Sequence, residues 1–293
     1  MWIILAMVSS LCLGVYDIFK KLSVTGNNVL TVLFFNTLFG AIFMSPVLIS
    51  TLSGGDTGFG GDVMGHGYIV LKSLIVLTSW TLSYYAVKHL PLTITGPINA
   101  TRPVMVLAGA MLVFGERLNM LQWAGILLGF CSLFFISRIG SKEGFSVKKS
   151  IWLWLMMGAA VTGAASGLYD KFLLKMYEPL QVQAWYSLYQ CIIMGVTIFI
   201  IKRRAMDSTP FQWRWTIPCV AIFLTIADIA YFYALSLPDS MISVMSMIRR
   251  GSVLVSFMYG VMVLREKNVK MKLIDLSILL VGALQKEGAL WDS

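Results

Sequence analysis

The segment GVYDIFKKL, residues 14–22, has a near copy, GLYDKFLLK, at residues 167–175. A second pair follows, in which LSYYAVKHLP (82–91) resembles DIAYFYALSLP (228–238). The offset of this second pair continues along the chain, so that Arg102 aligns with Arg249 and Asn99 with Ser246. Similar segments that recur in the same order indicate a chain made of two related halves.

The chain that carries these repeats is apolar enough to reside in a membrane. Of its 293 residues, 58% are hydrophobic and 13% charged, whereas soluble domains are about 25% charged. A spanning helix needs about 20 mostly apolar residues. Ten segments fit, although the last is short: 2–20, 28–48, 67–87, 92–114, 119–138, 151–172, 180–201, 214–235, 240–264 and 272–285. The sequence therefore predicts an all-α polytopic membrane protein with ten transmembrane helices.

The repeats and the spans together predict the domain organisation. We expect a first five-helix repeat at residues 1–140, a linker loop at 141–150 and a second five-helix repeat at 151–293. Because five is an odd number, the second half enters the membrane from the opposite side, and the two repeats are inverted. Inverted repeats are typical of secondary transporters, in which they surround a central site.

The order of these elements resembles the drug/metabolite transporter superfamily, in its EamA-like branch. The resemblance rests on the five-plus-five plan, on YYAVKHLP (84–91), on the polar helix that ends in FGERLN (114–119), and on their second-half counterparts. It covers about residues 1–285. It implies a ten-helix bundle that moves small solutes, often in the export of metabolites or amino acids, with both termini in the cytoplasm.

The distribution of Lys and Arg predicts the opposite orientation. The loops on one side carry fifteen of these residues, including Lys20, Lys21 and Lys88, and those on the other side carry four. The positive-inside rule then places both termini outside. The first apolar run lacks a basic flank and a cleavage site, so we expect a helix rather than a removed signal peptide. We expect a multi-pass protein of the bacterial inner membrane.

Charged residues inside the spans mark the candidate solute site. Arg102, Arg249 and Arg250 lie in apolar runs, where each charge costs roughly 2.5–3.5 kcal/mol. At about 1.5 Å per residue, Arg102 and Arg249 reach the middle of the bilayer. With Asn99 and Ser246 they are predicted to bind a solute that carries a carboxylate or phosphate. The alternative is that they form static ion pairs that hold the helices together.

Acidic residues are the candidate coupling or gating groups. Asp17, Asp170 and Asp228 could neutralise the arginines, or change protonation or partner during transport. Asp17 and Asp170 occupy equivalent places in the two repeats. Glu116, at the end of the fourth span, is a gate residue by the family resemblance and a surface ion-pair partner of Arg117 otherwise.

Aromatic and small residues allow two interpretations each. Tyr84 and Tyr231 are repeat equivalents that could line a solute cavity, together with Trp80, Tyr85 and Tyr233, although aromatic residues are also common in membrane helices. The patterns GILLG (125–129) and GAASG (163–167) permit close helix contacts within the chain or between two copies of it. A homodimer is therefore one alternative.

The function predicted from these features is secondary transport. The chain would move a small polar or anionic metabolite, such as an amino acid or organic acid, by alternating access, driven by a proton or solute gradient because no Walker A sequence occurs. The alternative is a channel or a non-transporting scaffold. An enzyme is disfavoured because HExxH and GxSxG patterns are absent. We expect no cofactor and no metal. The scattered basic residues also argue against nucleic-acid binding.

Overall fold

The computed structural model describes residues 2–53, 63–102, 104–106, 108–109, 150–203, 209–237, 245, 248–249 and 251–263. These residues form helices and contain no strand. The helices are α1 (Trp2–Val24), α2 (Val29–Ser53), α3 (Val63–His89), α4 (Leu92–Ala100), α5 (Ile151–Leu173), α6 (Pro179–Arg203), α7 (Thr216–Ser236) and α8 (Ser252–Met262). Most of the predicted fourth span lies beyond α4. The predicted spans at 119–138 and 272–285 lie outside the described residues.

Six of these helices are long and apolar enough to cross a membrane, namely α1, α2, α3, α5, α6 up to Ile200, and α7. Their outer faces carry large apolar side chains such as Leu11 and Phe199, which are more than half exposed. Polar side chains lie inside, where hydroxyl groups of residues such as Ser73 and Thr197 donate to the carbonyl four residues earlier. Apolar outside and polar inside is the arrangement that a lipid solvent favours.

The first connection is held by asparagine side chains. Gly26 has a φ of +65°, which glycine adopts without steric cost and which allows the chain to reverse after α1. Asn28 then caps α2, because the Thr31 amide donates to its Oδ1 at 2.9 Å. Asn27 exchanges two hydrogen bonds, of 2.7 and 2.9 Å, with the backbone of Gln212. The turn after α1 is therefore attached to the segment that leads into α7.

Helices of the first half pack mainly against helices of the second half. The pairs are α1 with α7, α3 with α5, α2 with α6, and α4 with α8. Further contacts join α1 to α8 and α4 to α5, and also α2 to α7 and α3 to α6. If α1, α2, α3 and α4 are exchanged with α5, α6, α7 and α8 in that order, the packing pairs named above stay the same. The count of ten crossing helices and the inversion of the halves stay predictions.

Some of the lysines assigned to loops in the charge count lie in helices, among them Lys20 and Lys21 in α1 and Lys88 in α3, and this part of the prediction is wrong. Lys20 is buried at 3% exposure. The Lys21 ammonium donates to the carbonyls of Val87 and Leu90, at 2.7 and 2.8 Å, at the end of α3. A cation satisfies the free carbonyls at a helix C-terminus. The helix can therefore extend through Lys20 and Lys21, because each ammonium group is hydrogen-bonded inside the bundle.

Candidate central cavity

A cavity of about 140 Å³ lies between the helices of the two halves. It is lined by residues of α1 and α3–α8, together with Arg102 and Val106, which follow α4, and Arg249, which precedes α8. Seven of the lining residues are ionisable as Asp, Lys or Arg, and they are Asp17, Lys20, Lys72, Arg102, Asp170, Asp228 and Arg249. Such a concentration of charge in an apolar bundle identifies this cavity as the candidate functional site.

Arg249 and Asp228 form one ion pair of the cavity. The Arg249 Nη2 lies 2.7 Å from the Asp228 Oδ1, and both side chains are nearly buried. The Arg249 guanidinium also lies 3.9 Å from the centre of the Tyr231 ring, a distance that allows a cation–π interaction. The structure thus brings together three residues that the sequence singled out. It neutralises Arg249 within the protein.

Arg102 lines the same cavity without a carboxylate partner among the described residues. Its Nη2 donates to the Ala159 carbonyl at 3.2 Å, and its buried Nε has no hydrogen-bond partner. The guanidinium lies directly on α5, because a Cβ added at Gly163 would be 2.5 Å from the Arg102 Cζ. The glycine therefore makes the space that Arg102 occupies.

Lys20 and Asp17 form a second ion pair, one turn apart on α1. The Lys20 Nζ lies 3.1 Å from the Asp17 Oδ1 and 3.3 Å from the Ser83 Oγ on α3. The same ammonium lies 4.8 Å from the centre of the Tyr16 ring and 5.4 Å from that of Tyr84. Asp17 is thus paired with a lysine, and not with an arginine as the sequence analysis considered.

Lys72 and Asp170 form the third ion pair, which joins α3 to α5. The Lys72 side chain is almost completely buried, and its ammonium lies 4.8 Å from the Tyr186 ring centre and 4.2 Å from that of Phe232. Sequence reasoning missed Lys72. The signal was present, because Lys72 interrupts the third apolar span as Arg102 interrupts the fourth.

The pairs occupy different depths along α3. Ser83, beside Lys20, and Lys72 are eleven residues apart, which is about 16 Å of helix. Arg102 lies between them, because the Ala159 carbonyl accepts hydrogen bonds both from Arg102 and from the Ser79 hydroxyl. An ion pair therefore lies towards each end of the cavity, with Arg102 at an intermediate depth.

The other predicted site residues differ in where the structure places them. Asn99 lines the cavity, and its buried Oδ1 has no hydrogen-bond partner. Tyr84 is completely buried behind the cavity wall, where it contacts Lys20. Of the other aromatic candidates, Trp80 lines the cavity whereas Tyr233 is 44% exposed on α7. Three predicted residues lie outside the described residues, and they are Arg250, Ser246 and Glu116.

The two glycines of the GAASG pattern lie against other residues of the same chain. Gly163 adjoins Arg102, and a Cβ at Gly167 would lie 3.9 Å from the Val106 Cγ2. This pattern therefore serves packing within the molecule, while the GILLG pattern lies outside the described residues. Within the described ranges, no group of three His, Cys, Asp or Glu side chains is arranged to hold a metal ion.

The chain is similar to known transporters in sequence and to a solved structure in fold. Residues 1–138 match the EamA-like transporter family. A protein of Archaeoglobus fulgidus described as an uncharacterized transporter is 23% identical over 193 residues, which is 66% of each chain. A crystal structure of another protein superposes with a TM-score of 0.62 at 14% identity, over 95% of this chain and 96% of that one, which shows a shared fold. The predicted resemblance is thus confirmed for the first half.

Proposed function

Because residues 1–138 match the EamA-like transporter family, we propose that this protein is a secondary transporter of a small solute with a carboxylate group. The solute class is an amino acid or an organic acid, and transport proceeds by alternating access. The observation that carries this proposal is the charge balance of the cavity, where four cationic side chains face three aspartates. The uncompensated charge belongs to Arg102.

Arg102 is suited to bind the solute. A guanidinium offers donors in a planar fork that matches a carboxylate, and such charge-assisted hydrogen bonds are stronger than neutral ones. Its buried Nε already lacks a partner, and Asn99 and Tyr231 line the same cavity. A carboxylate at this place would satisfy the arginine and neutralise the cavity. Phosphate offers similar chemistry, and the experiment below includes it.

The ion pairs at the two ends support alternating access. Asp17 and Asp170 are repeat equivalents, and each is held by a buried lysine between aromatic rings. In the proposed cycle, one pair separates to open the cavity to its side while the other stays closed. Two equivalent halves can exchange these states, as inverted repeats do in other carriers.

An aspartate of the cavity is proposed to carry the coupling proton. Asp17, Asp170 and Asp228 each lie beside a cation that could exchange partners when the carboxyl group is protonated. An imposed pH gradient is then expected to drive uptake into vesicles. Uptake that is unchanged by the gradient and by an uncoupler would contradict proton coupling while leaving the carrier intact.

Counterflow in proteoliposomes tests the solute class. Purified protein is offered labelled amino acids, organic acids and phosphate, and each carboxylate is compared with the analogue in which an uncharged amide group replaces the carboxylate. In Arg102→Met the carboxylate is expected to lose about tenfold or more in uptake efficiency, whereas Arg102→Lys, which keeps the charge, loses less. Lys88→Met serves as a control, because Lys88 lies outside the cavity at the end of α3.

The outcome decides between classes of function. Saturable counterflow in which Arg102→Met removes the preference for the carboxylate over the amide supports the proposal. Folded Arg102→Met protein that transports the carboxylate like the parent contradicts the assigned role. Flux that rises linearly with concentration and shows no counterflow indicates a channel instead. We place this carrier in the bacterial inner membrane, where fractionation of expressing cells should recover it.

A further inference from the structure

A second, smaller cavity adjoins the central one, between α2, α6 and α7. Its volume is about 20 Å³, which is room for one group the size of a water molecule or a hydroxyl. Trp80, Tyr186, Leu224 and Asp228 line both cavities. We refer to it as the side cavity. The two cavities therefore share part of their walls, next to the place where the proposed solute would lie.

The side cavity contains buried amide groups without hydrogen-bond partners. Asn36 is 2% exposed, and neither its Nδ2 nor its Oδ1 has a partner. Gln183 is as deeply buried, and its Oε1 is also without a partner. Buried polar atoms are normally hydrogen-bonded, so a cluster of unsatisfied ones facing a cavity indicates a ligand.

The unsatisfied atoms determine the chemistry of that ligand. Nitrogen donors require an acceptor, and carbonyl oxygens require a donor. A cation would satisfy only the oxygens and an anion only the nitrogens, whereas a hydroxyl group both donates and accepts. The conclusion does not depend on how the Asn36 amide is oriented, because both of its ends lack a partner. The ligand is thus a neutral hydroxyl-sized group.

We propose that the side cavity binds an uncharged hydroxyl group of the transported solute and thereby selects hydroxylated carboxylates over their apolar analogues. This inference rests on the proposed function, because Arg102 would hold the carboxylate while Asn36 and Gln183 hold the hydroxyl. A site built to hydrogen-bond a hydroxyl discriminates strongly against the analogue without it, because its polar groups are then left unpaired.

Matched solutes and matched variants test this proposal. The solute pairs are threonine with valine, which have nearly the same shape, and 3-hydroxybutyrate with butyrate. Asn36→Leu removes both hydrogen-bonding ends at similar volume, and Gln183→Met is a second variant if the first does not fold. Asn36→Thr keeps a group that donates and accepts. Ser45→Ala is the control, because the Ser45 hydroxyl lies outside both cavities on the same helix and donates to the Ile42 carbonyl.

The parent and Ser45→Ala are expected to prefer the hydroxylated member of a pair by about tenfold in counterflow efficiency. Asn36→Leu should abolish the preference by lowering transport of the hydroxylated solute alone, and Asn36→Thr should restore part of it. An equal loss for both members would show that the side cavity holds only water, which overturns the inference. So would a parent that transports carboxylates without this preference. If no carboxylate is transported at all, the proposed function itself is wrong.

Discussion

At the scale of single residues, a glycine determines where the unpaired arginine lies. The Arg102 guanidinium occupies the space beside Gly163, and a Cβ there would lie 2.5 Å from its Cζ and 2.7 Å from its Nη1. Because the end of an arginine side chain is flexible, alanine at this position would displace the guanidinium and leave the helices in place. Gly163 is thus a positioning residue for Arg102.

Gly163→Ala should therefore reduce carboxylate transport with little effect on folding. We expect about a tenfold loss of uptake efficiency, equivalent to about 1.4 kcal/mol, measured as initial rates in proteoliposomes. Gly167→Ala is the matched control, since its Cβ would lie at an ordinary contact distance of 3.9 Å from Val106. Equal rates for the two variants, or a loss of folded protein in both, would contradict this role of Gly163.

The Lys72–Asp170 pair yields a prediction about stability. Removing one partner leaves a buried charge uncompensated, and Lys72→Met alone should cost about 3–5 kcal/mol of unfolding free energy. Lys72→Met combined with Asp170→Asn should cost less than the single change, because no charge then remains. Denaturant titration in detergent measures both variants against the parent. A double variant that is less stable than Lys72→Met would show that the two side chains act independently.

The sequence predicted many of the charged site residues, and it named Asp228 among the possible partners of Arg249, but it did not predict that lysines pair with Asp17 and Asp170. Arg102, Arg249 and Asp228 were identified because each interrupts an apolar span. The pairing of Asp170 with Lys72 joins residues 98 positions apart on two helices, and no local pattern encodes such a contact. The amides of the side cavity were also missed, because a single Asn or Gln in a span costs much less than a charge and is a weaker signal.

At the scale of helices, small residues set the distances between elements. A Cβ at Gly14 would lie 2.5 Å from the Val255 Cβ and 2.9 Å from the Ser252 carbonyl oxygen, so α1 touches α8 there at backbone distance. Gly67 on α3 faces open space, because a Cβ added there would have no neighbouring atom within 4 Å. These two glycines differ in environment and not in secondary structure.

Gly14→Ala should accordingly destabilise the protein by about 1–3 kcal/mol, because neither a Cβ nor a backbone oxygen can move aside cheaply. Gly67→Ala should be neutral or stabilising by up to about 1 kcal/mol, since alanine has the higher helix propensity. Thermal unfolding of the two variants in one detergent makes the comparison. If both shift the midpoint in the same direction by the same amount, the close contact between α1 and α8 is absent.

The sequence predicted the positions of the long helices better than it predicted where they begin and end. The apolar runs located α1, α2, α3, α5, α6 and α7, because spanning a bilayer requires long apolar helices. The third helix, Val63–His89, extends beyond the predicted span at both ends. Hydropathy excludes charged residues from a span, whereas the folded bundle accommodates Lys20 and Lys21 by giving each a partner.

At the scale of the whole molecule, α4 of the first half meets α8 of the second half. An added Cβ at Gly96 would lie 3.9 Å from the Val253 Cβ, within the range of about 3.5–4.5 Å found in disulfides. Cysteines at these two positions would link the halves covalently. The proposed alternating access requires the halves to move relative to each other, so this link should stop the proposed cycle.

Gly96→Cys with Val253→Cys is therefore expected to form a disulfide on oxidation and to lose counterflow, with recovery after reduction. The background carries serine at the native cysteines, which are Cys12, Cys131, Cys191 and Cys219. A protease site inserted at 141–150 shows whether the halves remain joined on a non-reducing gel. Full transport by the linked protein would rule out a cycle that separates α4 from α8.

The two repeat-related arginines differ in one respect, since Arg249 is neutralised by Asp228 while Arg102 is not. In the proposed carrier, this difference would make solute binding from one side of the membrane unequal to binding from the other. Half-saturation could then occur at different concentrations inside and outside the cell, although the final ratio of the two concentrations is still fixed by the driving gradient. An unequal pair of arginines would thus change how quickly each compartment loads the carrier, and not how far accumulation proceeds.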